Sequence, residues 1–483
     1  MKNNKQQKWN IENSYLKLPS DFYSKQQPEK VINPKKIYFN SNLALDLGLE
    51  FLSEKEILDY FSGNKIPRGA ISIAQAYAGH QFGNFTILGD GRAILLGEQI
   101  TPKNRRYDIQ LKGCGRTSYS RQGDGKATLS SMLREYVISE AMYHLGIPTT
   151  RSLAVIQTGE KVYRDQVYDG GVLTRISSSH IRFGTFEFVR NFCSKDDLKI
   201  FIKYVIDRHY PQISNANNPA IELFELVMIK QINLIVNWMR VGFIHGVMNT
   251  DNMSVCAETI DYGPCAFMNA YNSKTVFSSI DKNGRYSFGN QPNIMHWNLA
   301  VFANTLIPII SDNEKESIKL IKEKLNKFPS LFSNIWYDMM FKKLGIIKPI
   351  EKDKILVDAL LELMSNHKAD YTNTFAALTL DNISSDNLFK SNEFKKWQKE
   401  WKDRINYSSD SIESFKIMQK QNPIVIPRNH LVELALEKSI NGNFNQLDNL
   451  LDLISKPYDY TANYSFQTVP KGFDDSYKTF CGT

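Results

Sequence analysis

Two side chains of the kinds that bind divalent metal ions, Asn252 and Asp261, lie within ten residues of each other near the middle of the chain. His245 and Asp251 stand just before them, and Asp251 is the carboxylate nearest to the first candidate ligand. Amide and carboxylate oxygens suit magnesium, which completes its shell with water and substrate phosphates. These residue types and their spacing therefore predict a metal site that assists the transfer of a phosphate-bearing group.

The sequence around these residues predicts the elements that position them. Leu234–Val241 reads as the end of a helix that stops at Gly242, because its apolar residues recur at helical spacing. Met253–Ile260 is apolar at alternate positions, which indicates a short strand, a turn and a second strand. A helix is thus followed by the loop that carries His245, Asp251 and Asn252, and Asp261 comes directly after the hairpin.

Protein kinases show the same order, with a loop His followed seven residues later by an Asn on magnesium, and an Asp-x-Gly after the next hairpin. His245, Asn252 and Asp261 match these positions. The catalytic Asp of kinases, two residues after the His, is replaced here by Val247, which neither binds metal nor accepts a proton. Either the chain is an inactive kinase, or the same scaffold holds its substrate differently. Ordinary polar loop residues are the structural alternative.

A glycine turn upstream is a candidate phosphate-binding element. Phe85–Leu88 and Ala93–Leu96 are short apolar runs separated by Gly89-Asp90-Gly91-Arg92, which predicts a β-hairpin. Two glycines at such a turn let backbone N–H groups approach phosphates closely. Gly-Asp-Gly is also a common hairpin turn, so the purely structural interpretation stays open.

The strand and the helix that follow carry a candidate ion pair. Tyr107–Lys112 reads as a strand ending in Lys112, and Leu129–Leu145 has helical periodicity with Glu135 in its first half. In kinases this order of strand, Lys, helix and Glu places the Glu so that it holds the Lys at the nucleotide phosphates. We therefore predict a pair between Lys112 and Glu135; the alternative is a solvated Glu135 beside Arg134.

Further basic residues lie close to this pair in the sequence. The glycine-rich segment Gly113–Thr128 is long and basic for a connector and lacks the Walker spacing, so it is predicted to be a flexible anion-binding loop. Arg175 ends a predicted strand, Gly171–Ile176, and Arg182 follows it, so the two guanidinium groups could clamp a phosphate. Surface arginines without a ligand are the alternative.

The order of the elements predicts the fold class. Strands and one helix come first, the metal loop lies in the middle, and the remainder is mostly helical. This order predicts an α+β, protein-kinase-like two-lobed fold with a strand-rich N-lobe, a larger helical C-lobe and the nucleotide between them. The predicted boundaries are an N-terminal wrapping segment (1–70), a nucleotide-binding N-lobe (71–190), a helical C-lobe with the metal loop (191–465) and a tail with Cys481 (466–483).

Composition narrows the class of protein. The chain is 42% hydrophobic, enough for a core, and its net charge of +8 arises from 59 basic and 51 acidic residues. This mild excess fits a phosphate-bearing ligand or an acidic partner and does not by itself indicate nucleic acid. No apolar stretch is long enough to span a bilayer, and no signal-peptide core follows the lysine-rich N-terminus, so a soluble intracellular protein is predicted.

The five cysteines are scattered and none forms a Cys-x-x-Cys pair. They therefore indicate neither a structural zinc site nor a secreted disulfide framework. Cys481, third from the C-terminus, reads either as an inert surface residue or as a redox latch.

Several long stretches resemble the selenoprotein O (YdiU) family of protein adenylyltransferases, and the resemblance runs from Trp9 to the end of the chain. The stretches are Ala74–Glu98, Gln110–Arg121, His245–Asn252, Ile260–Pro264, Phe288–Trp297 and Asn422–His430. The resemblance implies a kinase-like fold in which the nucleotide lies reversed, so that the α-phosphate faces the acceptor. AMP would pass from ATP to a Ser, Thr or Tyr hydroxyl of a protein, and pyrophosphate would leave. A reversed nucleotide also explains why Val247 can replace the kinase base.

The resemblance implies roles for individual residues. Gly89, Gly91 and Arg92 would contact ATP from the glycine turn, and Lys112, oriented by Glu135, would contact a phosphate. Asp124 and Gly125 would line the nucleotide, and Arg175 and Arg182 would hold its phosphates. The roles in the central loop are Asp251 as proton acceptor, and Asn252 and Asp261 as ligands of Mg²⁺ or Mn²⁺, with Asp261 also near ATP.

One position departs from the family pattern. Many members carry a Cys after the Asp-Tyr-Gly segment that pairs with a C-terminal Cys and gates the site, whereas Phe277 stands there in this chain. Cys265 is then the nearest alternative partner for Cys481. A redox switch is therefore a hypothesis that disulfide mapping of the oxidised protein by mass spectrometry would test.

The expected partners are protein substrates with Ser, Thr or Tyr acceptors, with no nucleic acid and no membrane. We expect a monomer in a bacterial cytoplasm, or in mitochondria if the chain is eukaryotic. Two other functions stay open: a kinase-type phosphotransferase and an inactive nucleotide-binding pseudokinase scaffold. The presence of Lys112, Asn252 and Asp261 together argues against the scaffold, because no ligand position is lost.

Overall fold

The structure, a computed structural model, describes residues 9–382, 387–407, 411–461 and 468–480. Its strands are β1 (Ile11–Glu12), β2 (Tyr23–Lys25), β3 (Lys35–Phe39), β4 (Ile73–Gln75), β5 (Ala78–Gln81), β6 (Asn84–Ile87), β7 (Ala93–Ile100), β8 (Arg106–Lys112), β9 (Arg151–Tyr163), β10 (Val167–Ser177), β11 (Phe243–Ile244) and β12 (Ala266–Phe267). Its helices are α1 (Ser41–Leu47), α2 (Glu54–Phe61), α3 (Leu129–His144), α4 (Phe183–Phe192), α5 (Lys195–His209), α6 (Pro219–Arg240), α7 (Gln291–Ile310), α8 (Glu314–Leu325), α9 (Phe328–Lys343), α10 (Asp353–Asn366), α11 (Tyr371–Leu380), α12 (Asn387–Lys390), α13 (Asn392–Tyr407), α14 (Ser411–Gln421), α15 (Asn429–Ile440), α16 (Asn445–Ile454) and α17 (Phe473–Ser476).

One antiparallel sheet forms the N-terminal part of the molecule. Its strand order is β2-β4-β7-β8-β10-β9-β3, and β1 pairs alongside β7. In the pairing of β8 with β10, Gln110 lies opposite Arg175. Because side chains alternate between the two faces of a strand, Gln110, Lys112 and Arg175 share one face of the sheet. The register alone therefore brings two of the predicted phosphate-binding cations together.

The first 70 residues contribute more to this sheet than a wrapping segment would. The sequence indicates one helix there, whereas the structure has α1 and α2 together with β1, β2 and β3. The Asn40 side chain accepts from Leu43 N at 3.0 Å to cap α1, and Ser53 and Glu56 form a capping box at the start of α2. Both helices cover the apolar face of the sheet. The boundary at residue 70 stays a prediction.

The predicted hairpin across Gly89–Arg92 is wrong. β6 pairs with β5, whereas β7 pairs with β8, β4 and β1, so the glycine segment joins two sheets. The turn that forms is Phe82-Gly83, with φ of 51° and 89°, which is the left-handed backbone of a type I′ hairpin. The backbone of such a turn matches the right-handed twist of the two strands, so β6 pairs with β5 and not with β7.

Helices make up most of the chain from Lys195 onward, as the sequence predicts. α6 runs through the middle of this part and is largely buried, and α7 packs against it. The prediction of an α+β fold with a strand-rich first part and a larger helical second part is confirmed. Among the described residues, no helix combines the length and apolar character needed to cross a bilayer.

Phe302 on α7 packs against α4 and against Phe224 of α6, so it joins three helices. Its ring stacks on Phe183 with centroids 4.7 Å apart and lies edge-on to Phe186 at 4.9 Å, and it is fully buried. We expect Phe302→Ala to lower the free energy of unfolding by about 3 to 5 kcal/mol, because it leaves a cavity that this packing cannot close. Urea denaturation followed by circular dichroism measures the loss. The matched change Ile355→Ala, at a side chain that is 68% exposed, should be nearly neutral.

Candidate active site

The predicted ion pair between sheet and helix is present. The Lys112 Nζ donates to Glu135 Oε2 at 2.7 Å, and both side chains are buried. Lys112 ends β8, and α3 begins beyond Thr128, whose hydroxyl accepts from Ser131 N at 3.3 Å. That cap fixes the start of α3, so the first half of the helix brings Glu135 to the end of β8.

Asp261 gathers three cations from separate elements. Its Oδ1 accepts from Lys112 Nζ and from Arg175 Nη1, both at 2.7 Å, and its Oδ2 accepts from Arg182 Nη1 at 2.7 Å. Arg175 Nη1 also lies 3.3 Å from Glu135 Oε1. The predicted phosphate-binding residues Lys112, Arg175 and Arg182 are thus brought together around one carboxylate.

These charges determine the ionisation of Asp261. Burial raises the pKa of its carboxyl, but the charges of Lys112, Arg175 and Arg182 outweigh burial and hold the pKa well below its usual range. The carboxylate is therefore ionised near neutral pH. Its backbone φ of 63° lies in the left-handed region, which aspartate adopts more readily than most residues and which occurs often at functional sites.

Arg175 is held in place by residues that sequence reasoning missed. Gln110 Oε1 accepts from Arg175 Nε at 3.2 Å and from Nη2 at 2.6 Å, and Gln110 Nε2 donates to Asp90 Oδ2 at 3.2 Å. Asp90 is buried and also accepts from Gln75 N at 3.1 Å. The sequence does contain one signal for Gln110. Side chains two positions apart in a strand lie on the same face, so Gln110 must share the face of Lys112.

The central loop carries the candidate base and metal ligands. His245 lies buried with Nε2 2.9 Å from Ile260 O and its ring stacked on Trp238, so it supports the chain just before Asp261. Burial lowers the pKa of His245, which keeps the imidazole neutral. The predicted hairpin between Asn252 and Asp261 is reduced to a single bridge between Met253 and Thr259.

Asp251 lies beside the cation cluster but is buried under a neighbouring hairpin. Its carbonyl accepts from Arg182 Nη1 at 2.7 Å, while its Oδ1 is buried and has no hydrogen-bond partner among the described residues. Burial raises the pKa of its carboxyl to about 6, against the opposing charge of Arg182. A carboxylate with a raised pKa binds a proton more strongly than an exposed aspartate, so it is a better general base.

The glycine turn and the following loop are packed on each other. Tyr119 lies over Gly89, where an added Cβ would come within 2.4 Å of the Tyr119 ring. Ser120 Oγ donates to Gly91 O, and Arg92 O accepts from Gly113 N at 2.7 Å. Within the described residues, the Arg92 side chain makes no hydrogen bond or ion pair, so its guanidinium is available to a ligand.

Asp124 and Gly125 are not part of the cation cluster. Asp124 forms a two-pronged pair with Arg164 at 2.8 and 2.9 Å, and it accepts from Lys126 N at 3.0 Å. Gly125 adopts φ of 70° and packs so closely on Gly115 that a Cβ would lie 2.1 Å from its carbonyl oxygen. Their predicted place along the nucleotide therefore stays a prediction.

The residues present fit a magnesium or manganese ion. Asn252 Nδ2 donates to Val247 O at 3.0 Å, and no hydrogen bond from the described residues reaches its side-chain oxygen. That oxygen and the Asp261 carboxylate are hard donors of the kind magnesium prefers. No group of three or more His, Cys, Asp or Glu side chains in the described ranges could hold a metal. A two-ligand site of this kind is typical of an ion that arrives with substrate phosphates.

Under the role toward ATP that the family resemblance implies for Lys112, we expect Glu135→Gln to raise KM for ATP about 10-fold, because it removes one charge-assisted hydrogen bond that orients the Lys112 ammonium. Steady-state kinetics at varied ATP concentration measures the change. The matched control is Glu140→Gln on the same helix, since Glu140 pairs with Arg151 at 2.7 Å away from the cluster. An unchanged KM in Glu135→Gln would contradict the proposed role of the pair.

The predicted redox partner Cys481 lies outside the described residues, but the chain just before it is described. Thr479 N donates to Phe277 O at 2.8 Å, and the rings of Tyr477 and Phe277 lie 5.7 Å apart. Cys265 is buried, and burial raises the pKa of its thiol to about 12, so it is a weak nucleophile. A disulfide involving Cys481 stays a prediction.

Comparison with protein families gives one result over most of the chain. A family model described as "Protein adenylyltransferase SelO" matches residues 5–455. This range includes the sheet, the cation cluster and the central loop.

Curated relatives match the chain over nearly its full length. A protein from Clostridium perfringens (strain SM101 / Type A) called "Protein nucleotidyltransferase YdiU" is 51% identical over 479 residues, covering 98% of each chain. Proteins of the same name from Brevibacillus brevis (51% identical, 98% of each chain) and Bacillus mycoides (49% identical, 100% of each chain) match equally well. Among solved structures, "ROP2 from Toxoplasma gondii: A virulence factor with a protein-kinase fold and no enzymatic activity" matches with 11% identity over 70% of this chain and 88% of that chain. Its TM-score of 0.25 is too low to carry an argument.

Proposed function

The chain belongs to the SelO family of protein adenylyltransferases, and from this premise we propose that it transfers AMP from ATP to a Ser, Thr or Tyr hydroxyl of a protein, with release of pyrophosphate. The observation that carries the proposal is the convergence of Lys112, Arg175 and Arg182 on Asp261, next to Asp251, whose Oδ1 has no hydrogen-bond partner among the described residues. Cations supply the charge that a transferring phosphate needs, and the carboxylate supplies a base.

The proposed reaction is one in-line displacement at the α-phosphorus of ATP. The acceptor oxygen forms a bond to that phosphorus, the bond from phosphorus to the bridging oxygen of the β-phosphate breaks, and pyrophosphate leaves. Asp251 accepts the hydroxyl proton. Lys112 and Arg175 would hold the leaving phosphates, and Arg182, whose Nη1 contacts both Asp261 and the Asp251 carbonyl, would link the phosphate to the base.

A divalent ion would be held by Asn252 and Asp261 and would supply further charge neutralisation on the phosphates. Manganese serves as well as magnesium in such an oxygen site. Asp261 accepts hydrogen bonds from Lys112, Arg175 and Arg182. We propose that ATP phosphates take over these cations and leave Asp261 to the ion.

A reversed nucleotide accounts for the position of the base. Val247 stands where kinases keep the Asp that serves the γ-phosphate, and it is buried. Among the carboxylates beside the site, Asp251 has an oxygen without a partner in the described residues, and we propose that the reacting phosphate faces it. The named relatives come from bacteria, which favours a bacterial cytoplasm, and we propose that the enzyme works as a monomer. Sedimentation velocity measures the oligomeric state.

The experiment that tests the function compares two labelled nucleotides. The protein is incubated with candidate acceptor proteins and ATP labelled at either the α- or the γ-phosphate. Label retained from the α-phosphate alone is the expected result. Label from the γ-phosphate alone would assign a kinase-type phosphotransferase. Thermal stabilisation by ATP with no label from either would assign an inactive scaffold.

A further inference from the structure

The β5–β6 hairpin forms the wall of the site nearest to the proposed base. His80 N donates to Thr250 Oγ1 at 2.8 Å, and Phe82 N donates to Asn249 Oδ1 at 3.1 Å. A Cβ placed on Gly79 would lie 2.7 Å from Asp251 Oδ1, so the backbone of β5 touches the carboxylate. The chemistry proposed above gives this hairpin no role.

One oxygen of the carboxylate that faces the hairpin lacks a partner, while the Gln81 side chain of β5 bonds the carboxyl group. Asp251 is 8% exposed, and its Oδ1 is buried without a hydrogen bond from the described residues. Leaving a buried carboxylate oxygen unpaired is costly, so a hydrogen-bond donor at this oxygen would be favourable, whether it comes from water or from a ligand. Under the proposed function that donor is the hydroxyl of an acceptor protein, which must therefore reach the side of the loop that the hairpin covers.

The outer strand of the hairpin has an unpaired edge. β6 pairs with β5 and with no other strand of the described residues. Leu88 N donates to Tyr77 O at 3.0 Å, and hydrogen-bonded pairs alternate in an antiparallel ladder. The backbone groups of Phe85 and Ile87 therefore point away from β5 and are open to another strand.

The same edge carries exposed apolar side chains. Phe85 is 41% exposed and Ile87 is 54% exposed. Phe192 at the end of α4 is 47% exposed, and its ring stacks on Phe85 with centroids 6.3 Å apart. Exposed edges of this kind are usually protected by charge, because they bind other extended chains. Beside an active site, an apolar, unpaired edge suits main-chain recognition of a peptide segment.

We propose that the outer edge of β6, with Phe85, Ile87 and Phe192, binds an extended segment of the acceptor protein as a third strand. The proposal rests on the proposed function, because that function supplies a protein as the second substrate. Pairing through the backbone tolerates different acceptor sequences, and the apolar patch selects segments with apolar side chains at alternate positions.

The geometry also sets where the acceptor hydroxyl lies. A strand added to β6 is two strand spacings, about 10 Å, from β5 and Gly79. Each extended residue spans about 3.3 Å, so the hydroxyl belongs to a residue about three or more positions outside the paired segment. The acceptor chain would then turn across the hairpin to reach Asp251.

A peptide series tests the proposal. Each peptide carries one Ser, Thr or Tyr, and a pair of Val or Ile residues at alternate positions begins three to six residues away. Matched peptides replace the apolar pair by Ser, or place Pro within the paired segment, where it removes a ladder hydrogen bond. AMP transfer is measured with α-labelled ATP for the wild type, for Phe85→Ser/Ile87→Ser, and for Ile355→Ser, a control at a remote side chain that is 68% exposed.

The expected result is that the wild type uses the apolar peptides at least about 10-fold better, by kcat/KM, than the Ser or Pro peptides, as for removal of a central apolar contact. The double variant should lose this preference while retaining its affinity for an ATP analogue, and Ile355→Ser should keep it. A wild type without preference, or an unaffected double variant, would overturn the proposal. Sedimentation that shows a dimer lost in the double variant, with unchanged peptide kinetics, would assign the edge to self-association instead.

The peptide experiment distinguishes a failure of the docking edge from a failure of the proposed function. AMP transfer that occurs without any dependence on the apolar pair rejects the docking edge and leaves the proposed function in place. A wild type that transfers no AMP to any peptide or protein rejects the proposed function, and the docking edge fails with it.

Discussion

Asp261→Asn is expected to lower AMP transfer by at least about a thousandfold and to abolish metal-dependent binding of ATP. The variant keeps the shape of the side chain but removes the charge that binds the ion and holds Lys112, Arg175 and Arg182 in one place. Removal of a single preorganised donor from a charge-stabilising site already costs a hundred- to a thousandfold. Loss of the ion ligand adds to that loss.

The same substitution is expected to destabilise the protein without ligand. Three buried or nearly buried cations lose their shared counter-charge, and breaking a buried ion pair costs about 3 to 5 kcal/mol. Isothermal titration with an ATP analogue, with and without Mn²⁺, and thermal denaturation measure the two effects. The matched control is Asp353→Asn, because Asp353 is a buried partner of Arg404 at 2.7 Å in the helical part. It should destabilise the fold yet leave nucleotide binding intact.

Retention of metal-dependent binding in Asp261→Asn would contradict the assignment of Asp261 as a ligand. Loss of binding in both Asp261→Asn and Asp353→Asn would point to unfolding instead. Thermal denaturation of each variant distinguishes these outcomes, because a folded variant retains a cooperative transition.

Asp251→Asn is expected to slow AMP transfer about a hundred- to ten-thousandfold while leaving ATP binding nearly unchanged. This is the usual contribution of a positioned general base. The amide has the size of the carboxyl, so it still fits against Gly79, but it cannot accept the proton of the acceptor hydroxyl. Asp251 contacts the cation cluster only through its carbonyl, which the substitution retains.

Single-turnover transfer from α-labelled ATP measures the rate of the chemical step, and stabilisation by an ATP analogue measures binding. The contrast with Asp261→Asn is the informative part, because one variant should lose chemistry alone and the other both chemistry and binding. Transfer at the wild-type rate in Asp251→Asn would remove Asp251 from its proposed role.

Much of the cation cluster could be predicted because its residues follow local rules. Lys112 ends a strand with clear alternation, and Glu135 lies early in a helix whose periodicity and ending are plain in the sequence. A strand and a helix that succeed each other pack together in most folds. The approach of Lys112 to Glu135 therefore followed from element order alone.

The parts that sequence reasoning missed depend on distant register. Alternation along β8 places Gln110 on the face of Lys112, but its contact with Arg175 depends on the pairing of β8 with β10, and no local pattern gives the register of strands that are not consecutive. The predicted hairpin across Gly89–Arg92 failed for a related reason. β6 could pair through a turn at Phe82-Gly83 with β5 or through the glycine segment with β7. The first turn was hard to detect in the sequence because Phe rarely adopts a left-handed backbone.

The contacts of Asp124 show a further limit. Its neighbours in sequence are glycine and lysine, which suggested an open anion-binding loop. The structure pairs Asp124 with Arg164, which stands in the short connection between β9 and β10. Whether a charged loop residue faces a ligand or a distant side chain is decided by tertiary packing, which no periodicity reports.

The position of β3 in the sheet has a consequence for synthesis on the ribosome. β3 pairs with β9, so Lys35 finds its partner Gln157 only after more than a hundred further residues have been made. Until then β3 is unpaired in the nascent chain, and an unpaired strand edge is prone to aggregate with other chains. Lys35 and Lys36 place two charges at its start, which discourages neighbouring chains from adding there during the delay.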